Sequence, residues 1–477
     1  MPYFNRLMFI VILWLPACGE AASVHEKLDL TQHWAGYFSL VAMVLAYITA
    51  MFEEVTTLKK SKPMLLAAGL IWAVIVFAYQ QQGILEPPVN EFKANLSTYA
   101  ELMLFILVSM TYLNVMDTMR VFDALRNWLE NRGMNYRQLF WVTGLLVFFM
   151  SFFLNGLTTG LLMGSVVMAV GKNNARFVSL ACINIVVAAN AGGSVSPLGG
   201  ISTLFVWQHG MLKFTDFFNL FVPCVVNFLV PASFMQFAVP KETPVLEQER
   251  IVMHRGAYGV VLLFLITIIL AVWSDMYLHL PAAFGMMAGL SLLNLFNYYL
   301  QKLQHEYVKT PEELFSNLAN SNISSGVAKY QHFDIIDEVG NLDWDTLLFF
   351  YGAMMGIGGL GYIGYLDLVS HLLYGQLSAS TANILIGLSS AFVDNGTLMF
   401  AVLTMHPDIS QGQWLLLTLT LGVGGSLLAI GSAPGIGLLG LTKGRYTFSS
   451  HMKWFPVILL GYFASIGVHF LVNARFF

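Results

Sequence analysis

The sequence predicts an all-α polytopic membrane protein, and three observations carry that prediction. Hydrophobic residues make up 57% of the 477 and charged residues only 10%, against about 25% charged in a soluble globular chain. Too few charges exist to cover a water-facing surface, whereas 37 Phe and 24 Met suit a lipid-facing one. Apolar stretches of membrane length recur along the chain. The two halves of the chain also carry paired motifs in the same order.

Taken in order, residues 1–22 have the layout of a signal peptide: Arg6, an apolar stretch Leu7–Ala17, then small Ala21 and Ala22. Leu15-Pro16-Ala17-Cys18 loosely resembles a lipoprotein cleavage box. Removal of the leader would leave the N-terminus outside. Apolar stretches follow at 34–52, 63–80, 99–116, 138–154, 157–170, 177–191, 217–239, 257–278, 281–299, 346–366, 383–403, 412–430 and 454–472. Several fall short of the ~20 residues a full span needs. The short ones cluster around Gly- and Asn-rich sequence, where broken or re-entrant helices are expected at the midplane.

Basic residues set the topology. The loop after the first span carries Lys59, Lys60 and Lys62, the loop 81–98 only Lys93, and the loop 117–137 Arg120, Arg126, Arg132 and Arg137. That alternation reads inside, outside, inside, and Lys443, Arg445 and Lys453 place the last basic loop inside as well. Residues 301–343, with Glu306, Glu312, Glu313, Asp334, Asp337 and Glu338, form the one long polar segment. It reads as a linker between an N-terminal membrane half, 23–300, and a C-terminal half, 344–477.

Several function classes drop out. A net charge of −4 with scattered basic residues suggests no nucleic-acid surface. Cys18, Cys182 and Cys224 lie in or beside apolar runs without metal-type spacing, so no disulfide or zinc framework is expected. No G-x-x-x-x-G-K-[ST] phosphate loop occurs, which argues against an ATP-driven pump. Gly356, Gly358 and Gly361 match G-x-G-x-x-G, but inside a long apolar segment, where the glycines read as close helix packing. Scattered histidines near span ends (His209, His279, His371, His406, His451) lack the facing pairs a haem enzyme needs. The sequence calls for no cofactor.

The repeat points toward transport. Gly192-Gly193-Ser194 with Gly199 recurs as Gly424-Gly425-Ser426 with Gly431, and upstream Asn155-Gly156 recurs as Asn395-Gly396. Repeated halves with helix-breaking polar segments at matching positions mark secondary transporters. Such segments are costly in mid-membrane unless they line a cavity. Asn155–Gly160, Ala189–Thr203, Val393–Thr397 and Gly424–Gly435 fit that use.

Asp394 is the leading candidate. It lies near the middle of an apolar run, where an acid costs about 2.5–3.5 kcal/mol on insertion scales. It reads as a carboxylate for a cation or a proton, against a structural hydrogen bond at a helix break. Asp345, beside Thr346, opens another apolar run, and a helix N-cap is an equal reading there. Glu101 reads as an interfacial acid, and Glu53 and Glu54 as surface partners of Lys59 and Lys60. Asn155, Thr158, Thr159, Asn184, Asn190, Ser196, Ser202, Thr203 and Ser432 are the uncharged candidates. Singly each suits a helix-helix hydrogen bond; grouped at the repeated breaks, they suit a site.

Longer strings carry a family resemblance. Glu53-Glu54 with Lys60-Ser61-Lys62-Pro63, the run Ala181–Gly193, Trp344–Gly352, Val393-Asp394-Asn395 and Gly422–Leu428 together resemble the NhaD-type sodium/proton antiporters of the ion transporter superfamily. The resemblance implies inverted repeats around a midplane site that exchanges sodium or lithium for protons across the bacterial inner membrane. It implies a site of Asn190, Ser202, Thr203, Asp345, Thr346, Ser390, Asp394, Asn395 and Ser432, with Asp394, Asn395 and Asn190 as sodium ligands. A homodimer would be usual for the superfamily.

The chain also departs from the family pattern. Asn155-Gly156 stands where Asp-Asn precedes Leu-Thr-Thr, and Gly200 where Asp follows Ser-Pro-Phe-Gly. Ala429 replaces a serine, Gly396-Thr397 stands where Ile-Pro is common, and Pro434 replaces a small residue. Two membrane carboxylates are thus missing, which implies a changed stoichiometry or ion preference with Asp394 as the main exchanging group. Lost acids and Gly-Ser loops would favour an anion or organic-acid carrier, whereas Asp394 disfavours one. The third reading is a non-transporting sensor or scaffold, against which the retained polar groups argue.

Overall fold

The computed structural model describes residues 28–51, 53, 57–84, 86–130, 132–171, 174–243, 253–307 and 334–477. The leader 1–22, Glu54 and most of the linker 301–343 lie outside the described residues. No extended strand occurs among those described.

The helices are α1 (Trp34–Met51), α2 (Ser61–Gln81), α3 (Glu86–Thr118), α4 (Val121–Glu130), α5 (Tyr136–Met150), α6 (Gly156–Val170) and α7 (Ala175–Gly193). They continue with α8 (Ile201–Gln208), α9 (Phe221–Met235), α10 (Ala257–Leu278), α11 (Ala282–Tyr307), α12 (Ile335–Gly340) and α13 (Trp344–Ile363). Next come α14 (Tyr365–Ser370), α15 (Ala379–Ser389), α16 (Asn395–Met405), α17 (Gln411–Gly424), α18 (Ala433–Leu441), α19 (Phe448–Met452) and α20 (Phe455–Val472). Among the described residues, eight helical segments are long and apolar enough to span a membrane; α5, α6, α15 and α16 are apolar but shorter.

The difference from thirteen apolar stretches has a physical cause. The stretch 383–403 is two helices, because Asp394 caps the second and the chain turns between them. The stretch 412–430 ends as helix at Gly424. The region read as a loop, 81–98, is mostly helix: α3 starts at Glu86, with Pro87 and Pro88 in its first turn, where a missing N–H is harmless. Lys93 and Glu101 therefore lie within one 33-residue helix rather than in a loop and at a span start.

Burial sorts the helices into a centre and a lipid shell. On α1, Tyr37, Val41, Leu45 and Ile48 recur at helical spacing and are exposed, as a lipid-facing stripe must be. In contrast α7 is buried from Leu180 through Gly193 and α17 from Trp414 through Gly424. Helices apolar all round belong in the interior. The halves interleave: α13 packs on α2, α6 on α18, α8 on α16 and α9 on α20.

Glycine permits this density where backbones meet. A methyl group on Gly192 would overlap the Phe148 carbonyl, and one on Gly424 the Gly387 carbonyl. Within the breaks, Gly193 abuts the Gly199 backbone as Gly425 abuts that of Gly431. The G-G-S-x-x-x-x-G motifs thus close two matching loops. Gly356, Gly358 and Gly361 behave as the composition suggested, abutting Met43, Asn95 and Thr404.

Between α18 and α20, the buried His451 fastens the loop to the second break. Its ring bonds the Ser426 carbonyl at 2.9 Å and the Tyr446 hydroxyl at 2.7 Å. Burial holds its pKa down at about 4. An unfolded chain takes up this proton near pH 6.5, and the folded one only near 4. Thermal stability in detergent is therefore expected to fall as pH drops from 6.5 to 4, and His451→Gln to flatten that slope. Gly192→Ala should destabilise by about 1–3 kcal/mol through overpacking. Gly69→Ala, at a helical position with open space around it, should be neutral or stabilise by up to about 1 kcal/mol. Both are read as melting-temperature shifts.

Candidate functional site

Four helix starts frame one cavity, and their caps repeat between the halves. Asn155 caps α6, its Oδ1 accepting from the Leu157 amide at 3.0 Å. Asp394 caps α16, its Oδ2 accepting from the Thr397 amide at 3.1 Å and the Thr397 hydroxyl at 3.3 Å. Backbone angles agree: φ −54°, ψ 136° at Asn155 and φ −53°, ψ 131° at Asp394. Gly200 before α8 and Ser432 before α18 match likewise, at φ −148°, ψ 155° and φ −146°, ψ 150°.

The cavity has a volume of about 290 Å³. Of the residues singled out in the sequence, Asn155, Thr158, Asn190, Ser202, Asp345, Thr346, Asp394, Asn395 and Ser432 line it. Asn190 joins the halves, donating to the Ser432 hydroxyl at 2.9 Å and to the Val186 carbonyl at 2.9 Å. Both amide hydrogens are then used, and its oxygen is what it can offer an ion.

Five candidates lie outside the lining of the cavity: Thr159, Thr203, Ser390, Asn184 and Ser196. Thr159 bonds the Asn155 carbonyl, Thr203 the Gly200 and Pro197 carbonyls, and Ser390 the Gly387 and Leu421 carbonyls. Each satisfies backbone at or beside a break, so each supports the shape of the site without lining it. Asn184, buried, bonds the Phe140 carbonyl outside the cavity.

The acids divide the work. Asp343, not Asp345, caps α13, accepting from the Thr346 amide at 3.2 Å and its hydroxyl at 2.6 Å. Asp345 sits in the first turn and accepts from the Ser61 hydroxyl of α2. Both line the cavity. So do Glu53, Lys59 and Lys60, three residues read from sequence as paired surface charges. Lys59 does pair with Glu53, at 3.6 Å. Lys60 instead lies 4.9 Å from the Phe349 ring centre, a separation within cation-π range. Among the ionisable groups of the lining, Glu53, Asp343, Asp345 and Asp394 outnumber Lys59 and Lys60.

An all-helical membrane protein whose interrupted helices enclose an oxygen-rich, acid-lined cavity is, by fold and site, of the secondary-transporter class. Comparison with known proteins narrows this. Residues 38–422 match the model of the family CitMHS, described as citrate transporter. The chain is 49% identical to the Na(+)/H(+) antiporter NhaD of Vibrio cholerae serotype O1, over 95% of each chain. It is 46% identical to NhaD of Halomonas elongata over 100% of this chain and 96% of that one. Identity to NhaD of Alkalimonas amylolytica is 47%, over 96% and 94%. The chain belongs to the citrate-transporter family and, within it, to the NhaD-type antiporters.

Because Asp394 both caps a helix and lines the cavity, substitutions can separate the two roles. Asn is as good an N-cap as Asp, whereas Ala is not. Asp394→Ala should lose about 0.5–2 kcal/mol of stability and Asp394→Asn little, measured by thermal unfolding of the purified proteins.

Proposed function

We propose that this protein exchanges sodium for protons, with Asp394 carrying the cation and the proton in turn. The observation that carries the reading is the excess of carboxylates in a single cavity at the meeting of four interrupted helices. Sodium takes oxygen ligands, and the free Asp394 oxygen, Asn395 and the Asn190 amide oxygen supply them. Asp345, in the same lining, assists, and Thr346, Ser202 and Ser432 add hydroxyls. Three relatives named Na(+)/H(+) antiporter at 46–49% identity support the same reading.

Lithium, with the same charge and ligand preference, is a second cation for the site. Citrate, which names the wider family, fits poorly: its carboxylates would face the excess of acids, and Lys59 is already paired with Glu53. We place the protein in the bacterial inner membrane as a multi-pass chain, with the N-terminus outside and Lys59 and Lys60 inside. Two inverted repeats account for the matching caps, and a homodimer follows the superfamily habit.

The test is sodium- and lithium-dependent collapse of a proton gradient in everted vesicles. The unmodified protein should respond to both cations and not to citrate. Asp394→Asn should weaken the response at least about tenfold, the effect of losing ~1.4 kcal/mol of ion binding. Full exchange by Asp394→Asn at equal expression would remove Asp394 from the exchanging role.

A further inference from the structure

A second polar cavity, of about 360 Å³, lies where the C-terminal end of α8 meets the α10–α11 turn. Glu101 of α3, Gln208 of α8 and Asp275 of α10 converge on it, with Trp207 and His279. The Gln208 amide shares one property with Asn227 alone among the described residues, and only Gln208 lines this cavity. Its nitrogen and its oxygen are both buried, and neither has a hydrogen-bond partner. A buried amide left unsatisfied costs about 1–3 kcal/mol, so its place beside two acids points to something that visits. Trp207 holds Asp275 by a 2.8 Å bond to Oδ2, which leaves Oδ1 for a ligand.

The two cavities lie along one seam. A small cavity of about 30 Å³ shares Met110, Asn155, Gly199, Gly200 and Ile201 with the main site and extends along α3 and α8 to Phe105 and Leu204. Glu101 and Gln208 are one helical turn beyond those two. Between them the Phe105 and Trp207 rings meet edge to face, centres 6.3 Å apart, and close the route.

The seam also runs from one membrane face toward the other. The His254 amide bonds the Met119 carbonyl, which sets the start of α10 beside the end of α3. That end is fastened to Glu338 by Thr118 and Asn114. Asp343 and Asp345, a few residues on, share the main cavity with Lys59 and Lys60. From there the 22 residues of α10 climb ~33 Å to the turn at 279–281, where the second cavity lies.

We propose that this second cavity is the opposite-face vestibule of the exchange route, a site for a hydrated monovalent cation formed by Asp275, Gln208 and Glu101. Two carboxylates attract the ion, and the Gln208 oxygen replaces part of its water shell. The Phe105–Trp207 contact separates the vestibule from the main site, so that the two are not open to one another at once. The inference rests on the exchange reading of the main site for the identity of the ion, but not for the existence of the vestibule.

Two measurements test it. In a Cys18→Ser background, Gln208→Cys, read with a membrane-impermeant maleimide, should label from the face opposite to the one that labels Lys59→Cys; Cys182 and Cys224 are buried. Leu280→Cys gives the same reading should Gln208→Cys not accumulate. Labelling from the Lys59 face, or none at all, overturns the vestibule whether or not the protein exchanges sodium. With sodium offered at one face at a time, Asp275→Asn should raise the half-saturating sodium about fivefold at the vestibule face and leave the other face unchanged. An equal shift at both faces, or no shift, overturns the cation role. A wild-type protein with no sodium exchange from either face would instead sink the reading of the main site.

Discussion

Backbone can be irregular at membrane depth only where protein, not lipid, surrounds it, and the rest of this structure follows from that constraint. Each interrupted helix frees amides and carbonyls that hydrocarbon could not satisfy. The chain meets this by burying α7 and α17 on all sides and closing their loops with glycine against glycine. Thr159, Thr203 and Ser390 then take up carbonyls at or beside the breaks. Of the polar groups left over, those of Asp394, Asn395 and Asn190 line the main cavity, while the Gln208 amide lies at the second. The site is thus the residue of a satisfaction problem: oxygen atoms that the fold itself does not use.

Charge decides what that cavity can hold. Amide and hydroxyl groups alone select weakly for the sign of a ligand, since each offers both a donor and an acceptor end. Four carboxylates against two lysines, one of them already paired, tip the balance toward a cation. That excess accords with the sodium/proton naming of the similar antiporters rather than with the citrate of the wider family's description.

Much of this was legible in the sequence, because insertion into lipid writes itself as composition and length. Asp394, Asn190, Asn155 and Ser432 stood out as polar residues in apolar runs, and they meet in the cavity. The misses share a cause. Asp343-Trp344-Asp345 offers two acids for one cap, and local pattern cannot fix the register; the structure chose Asp343. Thr203 sits beside Ser202 with the same chemistry, and only the turn of α8 sends one to the cavity and the other to the Gly200 carbonyl. Lys60 looked like a surface charge because its neighbour Phe349 is remote in sequence. The start of α3 was hidden because polar residues suit an extramembrane helical turn as well as a loop.

The two halves are alike in geometry and unequal in charge, and that inequality is the most consequential feature of the site. Asn155 and Asp394 cap equivalent helices with nearly the same backbone angles. Each accepts an amide hydrogen bond through one oxygen, so either residue type satisfies the helix end equally well. What differs is the group left over. Asp394 keeps a second carboxylate oxygen, while Asn155 keeps an amide nitrogen, a donor that repels a metal ion. On the proposed reading the cation is therefore drawn toward the second-half cap, and Asn190 of the first half reaches across to Ser432 beside it. A carboxylate at position 155 as well would raise the acids of the cavity from four to five and set two like charges at equivalent caps. With an acid at only one of the two equivalent caps, the proposed exchange sets proton and cation in competition there, at the free oxygen of Asp394.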